Sequence, residues 1–328
     1  MAIKIGVSFD GFAPFDAALG FAKEAVAAGA SSLWMADHLG YRESILSCLG
    51  FALGTTARVV PTAVSPYLRH PMPTAMQMAT LAEAAPGRAA LAVGVGNPLF
   101  LGESGEAIEK PIRAIREFVE ALRALWSGEP VTQQALRFKL DGARMMFKPP
   151  GEIPIYLSPM KDQMLRLAGK LADGLVLSAG LSAPYAAHSL TVAAEGAREA
   201  GRDPADLHAA AYISFMCAAD QKRAVETVRQ KLAFLFRNKF LNENLAFTGI
   251  TLDQPAIIAA MSRRDYDAAA RLVPDDAVDA FAVAGTVRQC CDKLEAFATA
   301  GLNELVLFMA GDESDQRFGL DVIRELTR

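Results

Sequence analysis

Asp37 and His38 close the apolar run SSLWMADHL, residues 31–39. An imidazole titrates near neutral pH, and beside a carboxylate it can take or give a proton during a reaction. The chain has only four histidines. A second acid, Asp10, follows the first apolar run, residues 3–8. The Asp-His pair also has a structural reading, in which Asp37 caps the next helix and His38 packs at a loop tip. Ser178-Ala179-Gly180-Leu181-Ser182 leads toward a helix N-terminus and offers small residues and amides to a phosphate, or is an ordinary glycine-containing loop. No histidines and carboxylates stand at ligand spacing, so no metal site is expected. There is no G-x-S-x-G nucleophile elbow. Arg69 and His70 read as parts of a structural loop, and His188 and His208 as surface or packing residues. Tyr67 and Tyr156 read as core aromatics or as ring contacts near a cofactor.

These residues need a scaffold that gathers strand ends. Apolar strand-like runs begin near residues 3, 32, 58, 89, 154, 174, 208 and 304, with helical stripes between them. Helices are expected over residues 46–53, 74–84, 110–126, 162–171, 184–200 and 286–300, with another behind Asp16 as its N-cap. Pro66, Pro71 and Pro73 are expected to block regular structure in SPYLRHP. Parallel strands alternating with helices predict an α/β fold, a closed (β/α)8 TIM barrel, whose strands present chemistry at their carboxyl ends. A doubly wound open sheet is the rival, but no G-x-G-x-x-G follows the first strand. Two stretches break the rhythm and read as insertions, about 127–153 and about 239–282. The first contains a hairpin signal across Asp141-Gly142. The whole chain, 1–328, reads as one domain.

Composition narrows the function. Hydrophobic residues are 52% of the 328 and charged residues 21%, which allows a large core. Lysine plus arginine is 33 against 37 acids, a net charge of -4, which argues against nucleic-acid binding. No apolar run approaches the roughly 20 residues that span a bilayer, and the first residues do not read as a secretory signal. Cys48, Cys217, Cys290 and Cys291 show no metal spacing, which suits a reducing cytoplasm.

The motifs WMADHL, VVPTAVSPYLRHPMPTAMQMATLAEAAPGR, LAVGVGNP, KPIRAIREFVEALRALWSGEPV, FKPPGEIPIYLSPM, LAGKLADGLVLSAG and AGTVRQCCDKLEAF occur in an order that resembles the bacterial luciferase-like superfamily of flavin and F420-dependent oxidoreductases. The likeness is greatest to its methylenetetrahydromethanopterin reductase branch and covers nearly the whole chain. It implies the same (β/α)8 barrel, with coenzyme F420 as cofactor or, alternatively, FMN in a monooxygenase or reductase. A cofactor-free family member is a further alternative. By position, the resemblance implies a non-proline cis peptide at Ala63-Val64, with Ser65 following, under the cofactor's central ring. Asp37 and His38 would stand at its reactive end, with Gly96 and Asn97 in contact. Ser158, Pro159, Met160, Ala179 and Gly180 would hold its phosphate end. The branch's first-strand glutamate is Ser8 here. Asp10, two residues on and on the same strand face, is the candidate replacement. The loop after Ser158 reads PMKD and lacks the branch's usual glycine. The resemblance further implies a small-molecule substrate, a homodimer or larger homo-oligomer, and a lid or side wall built from residues 239–279.

Overall fold

Alternation along the first strand sets the architecture. In β1 (Lys4–Phe9), Ile5, Val7 and Phe9 join an outer apolar layer, which leaves Gly6 and Ser8 facing inward. The computed structural model describes residues 3–327; Met1, Ala2 and Arg328, the ends of the expected 1–328 unit, lie outside them. The chain continues through α1 (Phe15–Ala27), β2 (Ser32–Ala36), α2 (Ser44–Gly54), β3 (Arg58–Thr62), α3 (Pro71–Ala84), β4 (Leu91–Val93), α4 (Pro98–Glu103) and α5 (Pro111–Trp126). A hairpin follows, β5 (Val131–Gln134) and β6 (Lys139–Ala143). Then come β7 (Ile155–Leu157), α6 (Asp162–Leu171), β8 (Gly174–Leu177), α7 (Ala183–Glu199) and β9 (His208–Cys217). The helices α8 (Gln221–Phe236), α9 (Asn242–Ala246), α10 (Gln254–Ser262), α11 (Tyr266–Arg271) and α12 (Asp275–Phe281) lead to β10 (Ala282–Gly285). The last elements are α13 (Val287–Ala298), β11 (Glu304–Met309) and α14 (Glu313–Leu326).

The parallel strands run in the order β3-β2-β1-β11-β9-β8-β7-β4. Bridges Val59–Ala89 and Val64–Val93 join β3 to the β4 segment and close the circle into a TIM barrel. Trp34, Val60, Ala92, Tyr156, Val176 and Val306 fill its interior. The lower, N-terminal end is polar. Glu304, fully buried, accepts from Ser32 Oγ and from Trp34 Nε1 at 2.9 Å. Arg58 lies 3.9 Å from it and donates to Tyr156 Oη at 2.5 Å. His208 Nε2 is 3.5 Å from Glu304 without forming a hydrogen bond. Gly6 is required there, because a Cβ would come within 2.5 Å of Ser32 Oγ and 2.9 Å of Glu304. His208 is thus a half-buried member of the barrel floor.

Several local expectations are corrected. Pro14, not Asp16, is the N-cap of α1, and Asp16 lies in the first turn. Pro71 and Pro73 begin α3 instead of blocking it; first-turn amides have no intrahelical acceptor, so prolines fit. Asp141 and Gly142 lie inside β6; Gly142, at φ 61°, sits by a register irregularity, and the turn falls between β5 and β6. Strand β10 and the helices α4 and α14 were not foreseen.

Candidate active site

The inward-facing residues at the carboxyl ends of the strands form the mouth of the barrel. The apolar stretch Leu33–Met35 makes β2 a buried strand and delivers Asp37 and His38 to its upper end. The Asp37 amide donates to Thr62 O at 2.6 Å, which ties the ends of β2 and β3 together. Its carboxylate is fully engaged. Arg69 reaches it with Nε at 3.0 Å and Nη2 at 2.7 Å, and Ser44 Oγ donates at 2.8 Å. Arg69 also donates to Glu43 at 2.6 Å. Burial works against the guanidinium's charge, but the Asp37 and Glu43 carboxylates more than offset it, and its pKa is raised.

His38 makes no side-chain hydrogen bond among the described residues. Its ring forms a triangle with those of Tyr41 and Phe100, whose centroids are 5.8 and 5.6 Å away. Burial pushes its pKa below the ordinary imidazole value, while Asp10 and Asp37 pull in the other direction. The residue is nevertheless exposed at the mouth, and the lowered pKa favours the neutral imidazole, the form that can take a proton. Asp10 lies one residue past β1; its Oδ1 accepts from the Phe12 amide at 3.0 Å.

The bond Thr62–Ala63 is cis. The expected position, Ala63-Val64, is one residue too late. Thr62 still pairs with Ala36, and the Val64 amide already donates to Ala92 O, so Ala63 is the residue left outside the ladder. The floor beside it is made of small groups. A Cβ at Gly94 would lie 2.9 Å from Ala63 Cβ and 3.3 Å from Ser158 Cβ. Gly96, at φ 96°, packs against Ser65, whose hydroxyl donates to Val95 O at 2.7 Å. Asn97 caps α4 through Oδ1 to the Leu99 amide at 2.9 Å. Such a floor can seat a planar ring.

Ser158 Oγ stands 3.5 Å from Ser178 Oγ. Pro159 and Met160 follow Ser158 into the loop before α6, and Met160 packs against the apolar cluster of the helices after β9. Ala179 and Gly180 precede α7, whose N-cap is Ser182. Gly180 O accepts from Asn244 Nδ2 at 2.9 Å, which ties this loop to α9. These two helix starts lie side by side and can take a phosphate. His70 caps α3 and Tyr67 donates to Glu109 O, so both serve loops; Tyr156 belongs to the barrel floor. No group of three histidine, cysteine or acidic side chains is placed to hold a metal among the described residues.

Two features at the mouth escaped sequence reasoning. Arg69 was read only as loop structure. Lys231, on α8, extends its Nζ to Phe308 O at 3.2 Å and Met309 O at 2.6 Å. Its signal was present: it stands three residues after Val228 and four before Leu235, a charge on an apolar stripe.

A family model described as luciferase-like monooxygenase matches residues 4–304. The 5,10-methylenetetrahydromethanopterin reductase of Methanolobus tindarius is 30% identical over 87% of this chain and 88% of its own. The structure of the coenzyme F420 dependent tetrahydromethanopterin reductase from Methanopyrus kandleri superposes with a TM-score of 0.88 at 25% identity, covering 98% of this chain and 97% of that one. An F420-dependent secondary alcohol dehydrogenase, in complex with an F420-acetone adduct, gives 0.83 at 26% identity over the full length of both. The closed barrel, the cis bond at the end of β3 and the match over residues 4–304 agree, and the chain belongs to the luciferase-like monooxygenase family.

Proposed function

We propose that the protein is a coenzyme F420-dependent oxidoreductase acting on a small organic or pterin-like molecule. The observation that carries this reading is His38, without a side-chain hydrogen bond among the described residues, at the same mouth as a small-residue floor, in a chain whose similar relatives bear F420 in their names. Bound F420 supplies or accepts a hydride. The chain supplies position and a proton. His38 takes or gives the proton that accompanies the hydride, Asp37 locks the end of β2 through Arg69, and Asp10 sets the local field. Ala63, Val64, Ser65, Gly94, Gly96 and Asn97 would seat the ring, and the loops with Ser158, Pro159, Met160, Ala179 and Gly180 would take the phosphate end. Ser8, inward-facing, donates to Leu307 O at 3.1 Å, so no acid replaces the expected glutamate at that position; Asp10 is the acid available nearby.

The chain is further read as one domain that pairs with a second copy through α2 and α3, where Leu46, Leu53 and Met76 are exposed. Its four buried free thiols suit a reducing cytoplasm. Among the described residues no helix is long and apolar enough to cross a membrane. Fluorescence titration with oxidised F420 and, separately, with FMN tests the reading. Tight binding of F420 alone supports it. Binding of FMN alone moves the protein to the flavin monooxygenases, and binding of neither overturns it.

A further inference from the structure

Strand order divides the mouth into two halves. β3, β4, β7 and β8 carry the floor and loops assigned above to the cofactor. β9, β11 and β1 form the other half, with β2 and His38 at the border. That second half holds polar groups without an assigned role. Phe308 faces inward, because Leu305, Leu307 and Met309 belong to the outer layer. Lys231 Nζ lies over its ring, 3.2 Å from the centroid, and hydrogen-bonds the last two carbonyls of β11. It forms no ion pair among the described residues, and Asp10 is the titratable group whose charge acts on it. Ser214 pairs in register with Phe308; its hydroxyl is buried, 1% exposed as a residue, and has no hydrogen-bond partner. A buried hydroxyl without a partner costs free energy that a ligand oxygen can recover.

We propose that Lys231, with Ser214 beside it, binds the carbonyl or hydroxyl oxygen of the substrate and exchanges a proton with that oxygen during hydride transfer. This rests on the oxidoreductase reading and adds the substrate's half of it. In the reducing direction the substrate carbon gains a hydride from the reduced deazaflavin. The C=O π pair moves onto oxygen, and Nζ–H supplies the proton, leaving an alcohol and a neutral amine that water re-protonates. His38, which borders the cofactor half, would take the proton that the bound cofactor gives up in this direction. The substrate class is therefore a ketone or aldehyde and its alcohol. Burial pushes the Lys231 pKa down to about 7, with Asp10 opposing, so the ammonium can give up its proton near neutrality.

Reductive alkylation of the full chain with propionaldehyde and cyanoborohydride at pH 7, read by peptide mass spectrometry, tests this. About half of Lys231 is uncharged at pH 7, against roughly one in three thousand for an ordinary lysine. Lys231 is expected to react at least about tenfold faster than the exposed Lys139, even after restricted access is allowed for. The rate is expected to persist with F420 bound. In parallel, Lys231→Met and Lys231→Arg are titrated with F420, with thermal melts as the check on folding. Both should bind F420 within about threefold of the parent, since the lysine belongs to the other half. An unreactive Lys231, its protection by F420, or a tenfold loss of F420 affinity in a folded Lys231→Met overturns the proposal. If the parent binds no F420, the cofactor reading fails while the alkylation result still decides whether a carbonyl compound reaches Lys231.

Discussion

Replacing Arg69 with methionine keeps the side chain's apolar stem and removes both bonds that Arg69 makes to the Asp37 carboxylate, while the Asp37 amide keeps its bond to Thr62 O. Two charge-assisted hydrogen bonds, at 3.0 and 2.7 Å, are lost, and the carboxylate keeps only Ser44. The side chains of Arg69 and Asp37 are 17% and 14% exposed, so the pair is largely out of water. Leaving one partner of such a pair behind costs about 3 kcal/mol, at the low end for buried pairs because the mouth readmits some water. The bond to Glu43, whose side chain is 35% exposed, adds only about 0.5 kcal/mol. With about 2.1 cal/mol/K of unfolding entropy per residue, 328 residues give about 0.7 kcal/mol/K. The loss of about 3.5 kcal/mol then lowers Tm by about 5 °C. Calorimetry of Arg69→Met measures this directly. Most of the cost is a carboxylate without a counter-charge, so adding Asp37→Asn should recover roughly half of the loss. A shift below about 1 °C, or a double variant less stable than Arg69→Met, would refute the assignment of Asp37 and Arg69 as one locked unit.

His38→Asn should lower kcat by about 10²–10⁴-fold, with F420 affinity nearly unchanged in the titration. Because the folded-state pKa of His38 lies below 6.5, the ratio of parent to His38→Asn rates for oxidation of reduced F420, in which His38 takes a proton, should be flat above pH 6.5 and shrink only below it, and a ratio that already shrinks between pH 8 and 7 would contradict this. Gly94→Ala places a Cβ 2.9 Å from Ala63 Cβ, where no flexible chain end can give way, so F420 should bind at least about tenfold more weakly by fluorescence. Glu304→Ala leaves the Trp34 indole only its bond to Ser32 Oγ and leaves Arg58 without its nearby carboxylate; about 3 kcal/mol of stability should be lost in a melt while F420 affinity stays put. Burial lowers the His208 pKa, with Glu304 opposing, so its neutral form stabilises the fold above pH 6.5 and that contribution is lost as pH falls through 6.5. A His208→Gln variant should flatten this limb of a Tm-against-pH curve.

The barrel was legible because its eight main strands, all but the ten-residue β9 short, are apolar runs with a helical stripe beside them. Seven of those starts rely on period and punctuation alone; β4 is only three residues long, yet LAVGVG still marks it. The hairpin turn was misplaced because Asp-Gly is a strong local signal and β6 uses that glycine for a bulge instead. The Asp37-His38 corner could be found because it sits next to its strand in sequence. Arg69 and Lys231 could not be assigned in the same way: Arg69 is 32 residues from the carboxylate it clamps, and Lys231 is 77 from the first carbonyl it caps. Such partners are fixed by closure of the barrel, which local patterns do not encode.

The long strand β9 carries one more consequence. Its first half pairs with β8, and its second half, from Ser214 to Cys217, pairs with β10. The Ala218 amide donates to Gly285 O at 3.0 Å, so the five helices between them leave the barrel and return at one clasped point. They also keep an apolar cluster of their own, built from residues such as Val228, Leu232, Phe236 and Phe281. Because loop-closure entropy grows only slowly with length, this span can lengthen, shorten or change its side chains over evolutionary time without re-registering a strand. These helices are thus an exchangeable part clasped onto the barrel, and descendants could change diet while keeping the same engine.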